Sequence, residues 1–354
     1  MLGGIRRKVV TIKDIAKKAK ISVTTVSRAL NDFDDVNIET KNKIKKIAKE
    51  MGYVPNRMAR GLVKQERRTL ALVLSNLEKE GGKDNIVYRI MAGMYKFAES
   101  VNFEIVIFTT TSAHQKETTY AQFCYGHDIG GAIMLGIQID DPYFKEIINN
   151  DIPVVLIDIE GYGEKVSSVL IDNTAASKEA VEYLIKRNHR NIAMLTGRPS
   201  AEVSIPRQSG YEKALSNAKI ELNQDYIKCG YFLESKAYSE TKNLLQSHPE
   251  VTAIFCASDM MACGAYRAIR ELGKTIPNDI SIVGFDDNPL AEHLSPSLTT
   301  IHQDFYSKGY EAAQVLYRMI QGEVDSIRVV QDHELIIRDS VREIDPSFLS
   351  ERGK

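Results

Sequence analysis

The chain has 354 residues, more than one ordinary domain holds, so two or three compact units are expected. Hydrophobic residues at 43% and charged residues at 26% suit a globular protein with real cores, and no apolar run approaches the roughly 20 residues that span a bilayer. The net charge of −1 conceals a division: residues 1–68 hold 18 Lys and Arg against 7 acids, whereas the rest hold 28 against 40. A basic head on an acidic body is the footprint of a nucleic-acid-binding module joined to something that does not bind nucleic acid. The first ten residues are basic but lack the apolar stretch of a secretory signal, so a cytoplasmic location with no membrane partner is expected. Cys124, Cys229, Cys256 and Cys263 show neither CxxC spacing nor a paired framework, and the seven histidines are scattered. Reduced thiols and no metal site follow.

The head begins TIKDIAKKAKISVTTVSRALN at residue 11. Thr11 can cap a helix whose apolar face is Ile12, Ile15, Ala16 and Ala19, with Asp14 near its positive end. After a short turn at Lys20, Ser22 can cap a second helix with Val26, Ala29 and Leu30 inward. Its first turns present Val23, Thr24, Thr25, Ser27 and Arg28. Small side chains there can touch thymine methyls, and an arginine can grip a guanine edge with two hydrogen bonds. A third helix over 40–51 completes the core through Ile44, Ile47, Ala48 and Met51 and turns five lysines outward. Pro55 then breaks the chain, and Asn56 can cap a segment over 57–63 that contains Gly61. So short a helix is marginal alone, and a plain interdomain linker is the bland alternative.

From residue 69 onward, strand-like runs at 70–74, 103–108, 132–135, 154–157, 192–195, 253–256 and 280–283 alternate with helical stretches at 86–101, 175–187, 208–218, 237–247 and 260–272. Alternation of this kind predicts parallel sheets with right-handed crossovers. No GxGxxG follows a strand, no GxxxxGK[ST] occurs, and no nucleophile–base arrangement stands out, so neither a nucleotide cofactor nor an enzymatic activity is expected. Ligands in open α/β sheets bind beyond the carboxyl ends of strands, where this chain places Ser75, Asn76, Asp158, Ser258, Asp259, Asp286 and Asp287. Asp259 also reads as an N-terminal helix cap, and Asp287 as structural.

The head motif followed by GYVPNRMARGL resembles the signature of the lac repressor/galactose repressor family, and the likeness runs through nearly the whole chain. One departure is Lys20, where the family's turn carries glycine; a left-handed residue there costs roughly 1 kcal/mol. The resemblance implies an all-α helix-turn-helix head plus an α/β periplasmic-binding-protein-like core of two Rossmann-like lobes. The expected boundaries are a DNA-binding domain at 1–55, a hinge helix and linker at 56–68, a two-lobed effector and dimerisation domain at 69–342, and a tail at 343–354. Within the core the first lobe is expected at about 69–166 and 302–326, and the second at about 167–301 and 327–342.

The resemblance also implies a sequence-specific transcriptional regulator, read as a repressor, that binds pseudo-palindromic double-stranded DNA as a homodimer. DNA contacts carried over are Thr11, Ser22, Val23, Thr24, Thr25, Ser27, Arg28, Asn31, Tyr53, Asn56, Arg57, Ala59, Arg60 and Leu62, with Leu62 as a minor-groove wedge. Effector contacts carried over are Ser75, Asp158, Arg207, Phe232, Ser258 and Asp286; Phe232 fits core packing as well as ligand stacking. Carboxylates, an arginine fork and an aromatic face suit a sugar or sugar phosphate. A purine is disfavoured, because the arginine that a purine-binding member adds corresponds to Ala201. A phosphoprotein coeffector and a solute-binding protein without DNA function are the alternatives. The tail lacks a heptad repeat, so no coiled-coil tetramerisation segment is expected.

Overall fold

A computed structural model describes residues 12–30, 33, 35–51, 69–75 and 84–345. Thr11, Asn31, Tyr53, Asn56, Arg57, Ala59, Arg60, Leu62 and Asn76, with all of the hinge and the tail from 346, lie outside the described residues. The chain divides into two units, Met1–Arg67 and Arg68–Lys354.

In the first unit, α1 (Ile12–Ala19), α2 (Val23–Leu30) and α3 (Ile38–Glu50) close around Ile15, Ala16, Val26, Ala29, Ile44 and Ala48, all buried. Lys20 does adopt the left-handed conformation, with φ of +58°, between α1 and α2. Ser22 caps α2, its Oγ accepting from the Thr25 amide at 3.0 Å. The third helix starts two residues earlier than its pattern suggests. Asn37 is the cap, Oδ1 accepting from the Thr40 amide at 2.8 Å, so Thr40 lies in the first turn. The apolar periodicity begins only at Ile44, which is why the pattern pointed too late.

The second unit contains two six-stranded sheets. The strands are β1 (Thr69–Ser75), β2 (Glu104–Thr110), β3 (Ala132–Leu135), β4 (Val154–Ile157), β5 (Val166–Ile171), β6 (Ile192–Thr196), β7 (Ile227–Cys229), β8 (Ala253–Cys256), β9 (Ser281–Asp286), β10 (Thr299–His302), β11 (Arg328–Gln331) and β12 (Glu334–Ile336). The first sheet runs β11-β5-β4-β3-β1-β2, parallel throughout; the second runs β12-β10-β9-β8-β6-β7, parallel except for β12 against β10. The longer covering helices are α4 (Asp84–Val101), α5 (Asn173–Lys186), α6 (Ser204–Asn217), α7 (Glu234–Ser247), α8 (Asp259–Glu271) and α9 (Phe305–Ile320).

The chain passes between the sheets three times: after β5, between β10 and α9, and between β11 and β12. The first lobe therefore extends to 171, not 166, and its second segment to 331, not 326, while His302 belongs to the second sheet. The shift has a simple cause. Ser167 and Ser168 break the apolar run of β5, yet both are buried and bonded within the lobe: Ser167 Oγ accepts from the Ile327 amide at 2.9 Å and Ser168 Oγ from Gly161 at 3.0 Å.

The α4–α9 crossing packs the first lobe through two glycines. A Cβ on Gly93 would lie 1.9 Å from the Tyr306 carbonyl oxygen, and one on Gly309 would lie 2.0 Å from that of Ile90. Only glycine permits this backbone approach. It fixes α9, and with it the end of the middle crossing, against α4.

Candidate functional site: a cleft between the lobes

All six predicted effector residues line one cleft between the two sheets. From the first lobe come Ser75 at the end of β1 and Asp158 just after β4. Ser75 is tied inward: its Oγ accepts from Gln115 Nε2 at 3.2 Å and donates to Asp141 Oδ2 at 3.3 Å. Asp158 receives a hydrogen bond from the Lys308 ammonium.

The second lobe supplies the rest. Arg207, in the first turn of α6, is 4% exposed, and its Nε donates to Asn173 Oδ1 at 2.8 Å and its Nη1 to the Ala257 carbonyl at 2.6 Å. Its guanidinium carbon stands 3.8 Å from the Phe285 ring centroid, and Nη1 lies 3.6 Å from Asp286 Oδ1. Burial pulls the arginine's pKa down, opposed chiefly by Asp286. Asp286 ends β9 and accepts from Gln303 Nε2 at 2.8 Å. Burial raises its carboxyl to about 6, while Arg207 draws it back and Asp158 across the cleft pushes it further up.

Phe232 reaches the cleft with its ring laid on Gly197, where a Cβ would meet Phe232 Cζ at 2.0 Å. It also packs at the margin of the second lobe's core, so the two readings of this aromatic are compatible. Ser258 Oγ accepts from the Met261 amide at 3.3 Å and caps α8. The cap expected of Asp259 is thus made by Ser258. Asp259 instead reaches across to the next strand, accepting from the Phe285 amide at 2.9 Å, the Asn288 amide at 2.6 Å and Thr300 Oγ1 at 2.6 Å. Its burial raises the carboxyl pKa against these donors. Asp287 is structural as read, held by Arg338 at 2.8 Å and His302 at 2.9 Å.

Asp158, Phe232 and Asp286 have φ of +60°, +60° and +109°. Such conformations cost on the order of 1 kcal/mol or more for residues with a Cβ and collect at functional sites. Sequence reasoning missed Gln303, Lys308, Asn173 and Glu202. Gln303 sits one residue beyond β10, so the strand-end rule would have found it had that strand been recognised. Glu202 lines the cleft with its pKa raised by burial, then by Glu160 and Asp158. Lys308 and Asn173 carried no separate signal.

In the head, the α2 surface presents Ser22, Val23 and Thr24 as exposed residues, with Thr25, Ser27 and Arg28 half-buried. Arg28 is engaged within the unit: its Nε lies 2.8 Å from Asp35 Oδ2, and its guanidinium carbon 4.6 Å from the Phe33 ring centroid.

Residues 11–56 match the family model "Bacterial regulatory proteins, lacI family", and residues 181–341 match "Periplasmic binding protein-like domain". The regulator CelR of Thermobifida fusca is 32% identical, the alignment covering 95% of this chain and 99% of that protein. The chain belongs to the lacI family. This lacI-family member is also 33% identical to the repressor CytR of Escherichia coli over 94% of its length and 96% of the relative. Among solved structures, a CelR–cellobiose complex matches with a TM-score of 0.72 at 30% identity, covering 94% of this chain and 99% of that one. A lac repressor dimer bound to operator and the anti-inducer ONPF matches with a TM-score of 0.81 at 26% identity, covering 95% and 100%. The protein is a DNA-binding transcriptional regulator, and its relatives are regulators of this family, not enzymes.

Proposed function

We propose that this regulator is a repressor whose operator affinity is set by a sugar bound in the cleft between the lobes. The supporting observation is the convergence of Asp158 and Asp286 from opposite lobes with Arg207 and the Phe232 ring in one cleft. Ionised carboxylates accept two hydroxyls each, the guanidinium donates in a fork, and an aromatic face covers the C–H side of a pyranose. Among the described residues the two most deeply buried Lys and Arg side chains, Arg207 and Lys308, already have carboxylate partners, which favours a neutral sugar over a sugar phosphate. The similar CelR forms a complex with cellobiose, which makes that disaccharide the first compound to try.

The α2 surface is the proposed base-reading element, with Ser22, Val23, Thr24, Thr25, Ser27 and Arg28 facing the major groove. Homodimerisation is the second part of the proposal. Tyr88 and Tyr95 on α4 and Val106 and Ile107 on the edge strand β2 are exposed, an apolar surface that a second copy of the chain would cover. A thermal-shift screen of neutral sugars, sugar phosphates and phosphoproteins tests the effector. A ligand at 100 times its Kd should stabilise by about 2.7 kcal/mol. Stabilisation by a phosphoprotein and by no sugar would replace the sugar reading with a protein coeffector.

A further inference from the structure

Lys308 lies in the first turn of α9 with its side chain fully buried. Two general rules oppose a lysine there. A cation at a helix N-terminus faces the positive end of the macrodipole, and a buried ammonium is costly unless paired and hydrogen-bonded. Both costs are met by specific partners. Nζ donates to Asp158 and, at 2.8 Å, to Gln303 Oε1, and it stands 5.1 Å from the centroid of the Phe305 ring, which lines the cleft.

An ammonium only donates. Gln303 must therefore turn its carbonyl oxygen to Lys308, which leaves its NH2 for Asp286. The reversed amide would set NH2 against NH3⁺ and oxygen against a carboxylate. The series Asp158–Lys308–Gln303–Asp286 thus has one polarity. It begins at the end of β4 in the first lobe, runs through α9 and the middle crossing, where Gln303 is fully buried, and ends at β9 in the second lobe. Arg207 extends it toward Asn173 at the first crossing.

We infer that Lys308 is a positioning residue of the effector site: a buried counter-ion, out of reach of the ligand, that allows carboxylates of opposite lobes to face one cleft and orients Asp286 through Gln303. The inference rests on the proposed role of the cleft. The charged and titratable groups around Asp286 are Arg207 from α6, Glu202 before it, Asp158 after β4, Lys308 from α9, Asp259 from α8 and Asp287 beside it. Lys308 is the cation that stands between Asp158 and the Gln303–Asp286 pair.

The test uses the full-length protein without ligand and compares Lys308→Met, Lys308→Met/Asp158→Asn and the parent. Methionine keeps the length and suits the apolar surroundings of α9. In Lys308→Met the cation between the two carboxylates is gone, and their mutual repulsion penalises the ionised pair in the fold. Asp286, already raised to about 6 by burial, is then pushed further up, so stability is retained at low pH, where Asp286 is protonated, and lost as pH climbs through and beyond 6. The unfolding midpoint should fall by roughly 5 °C at pH 8 and by less than half of that at pH 5. The double variant, which lacks both charges, should regain most of the loss at pH 8. A loss of equal size at every pH that the double variant does not relieve would make Lys308 a packing residue and overturn the inference, as would no loss at all. Failure of the sugar reading would show elsewhere, as parent protein whose midpoint cellobiose and the other sugars do not move.

Discussion

Asp286→Asn isolates the electrostatics of the cleft, because the change keeps the shape of the side chain and removes its charge. The folded carboxyl titrates at about 6 against an ordinary value of 3.8, the result of burial outweighing the Arg207 guanidinium. A pKa raised by folding favours the fold while the group is protonated, and that contribution disappears as pH rises from about 4 through 6. Two pKa units correspond to about 3 kcal/mol, an upper figure because Gln303 and Arg207 reorganise around the change. Equilibrium unfolding in urea between pH 4.5 and 8 at fixed ionic strength should show the parent losing about 1–3 kcal/mol more than the variant across that range. The variant should follow a flatter profile, with Arg207 still held by Asn173 and the Ala257 carbonyl. Parallel profiles would refute the argument, since they would mean that Asp286 titrates in the fold as it does in the unfolded chain.

Lys20→Gly should stabilise the head by about 1 kcal/mol, because φ of +58° penalises a residue with a Cβ; hydrogen exchange of the α1 and α2 amides in the full-length protein measures it. Gly309→Ala should destabilise the first lobe by about 1–3 kcal/mol, since its methyl would stand 2.0 Å from the Ile90 carbonyl oxygen; thermal unfolding reports it. Arg28→Ala should relax discrimination at one symmetric base pair by roughly 1–3 kcal/mol per half-site, while Lys45→Ala should weaken all DNA sequences alike. A uniform loss in both, read by competition binding, would assign Arg28 to its Asp35 partner and the DNA backbone.

What the sequence made legible follows from which residues signal their surroundings. β1, β3, β4, β6 and β8 are uninterrupted apolar runs, and buried parallel strands of that kind read directly. β5 hides two buried serines whose hydroxyls are bonded inside the lobe, so its pattern resembles a surface segment. α9 reads FYSKGYEAAQVLYRMI, and its buried Lys308 and Gly309 occupy positions where an apolar stripe would have revealed a helix. Arg207, Asp286 and Asp158 were legible because their motifs resemble the family's. Gln303 was not, because β10, whose end it follows, reads TTIH and has no apolar run to announce a strand; nor was Lys308, because a lysine in sequence signals solvent, and only the fold shows that it stands behind Asp158. The Asp259 error is of the same kind. Ser258 and Asp259 are both good caps, and local sequence cannot tell which one turns back to the helix and which reaches β9.

The most direct test of the account is operator affinity, by fluorescence anisotropy on full-length protein, with and without a sugar that passes the thermal screen, for the parent and Arg207→Ala. The sugar should change parent affinity by at least about tenfold, a shift of ~1.4 kcal/mol. Arg207→Ala should bind ligand-free operator within about tenfold of the parent and need roughly a hundredfold more sugar for the same change, the loss expected of a charged hydrogen bond. A full sugar response in Arg207→Ala would contradict it, because the regulatory site would then lie outside the cleft that Arg207 and Asp286 define.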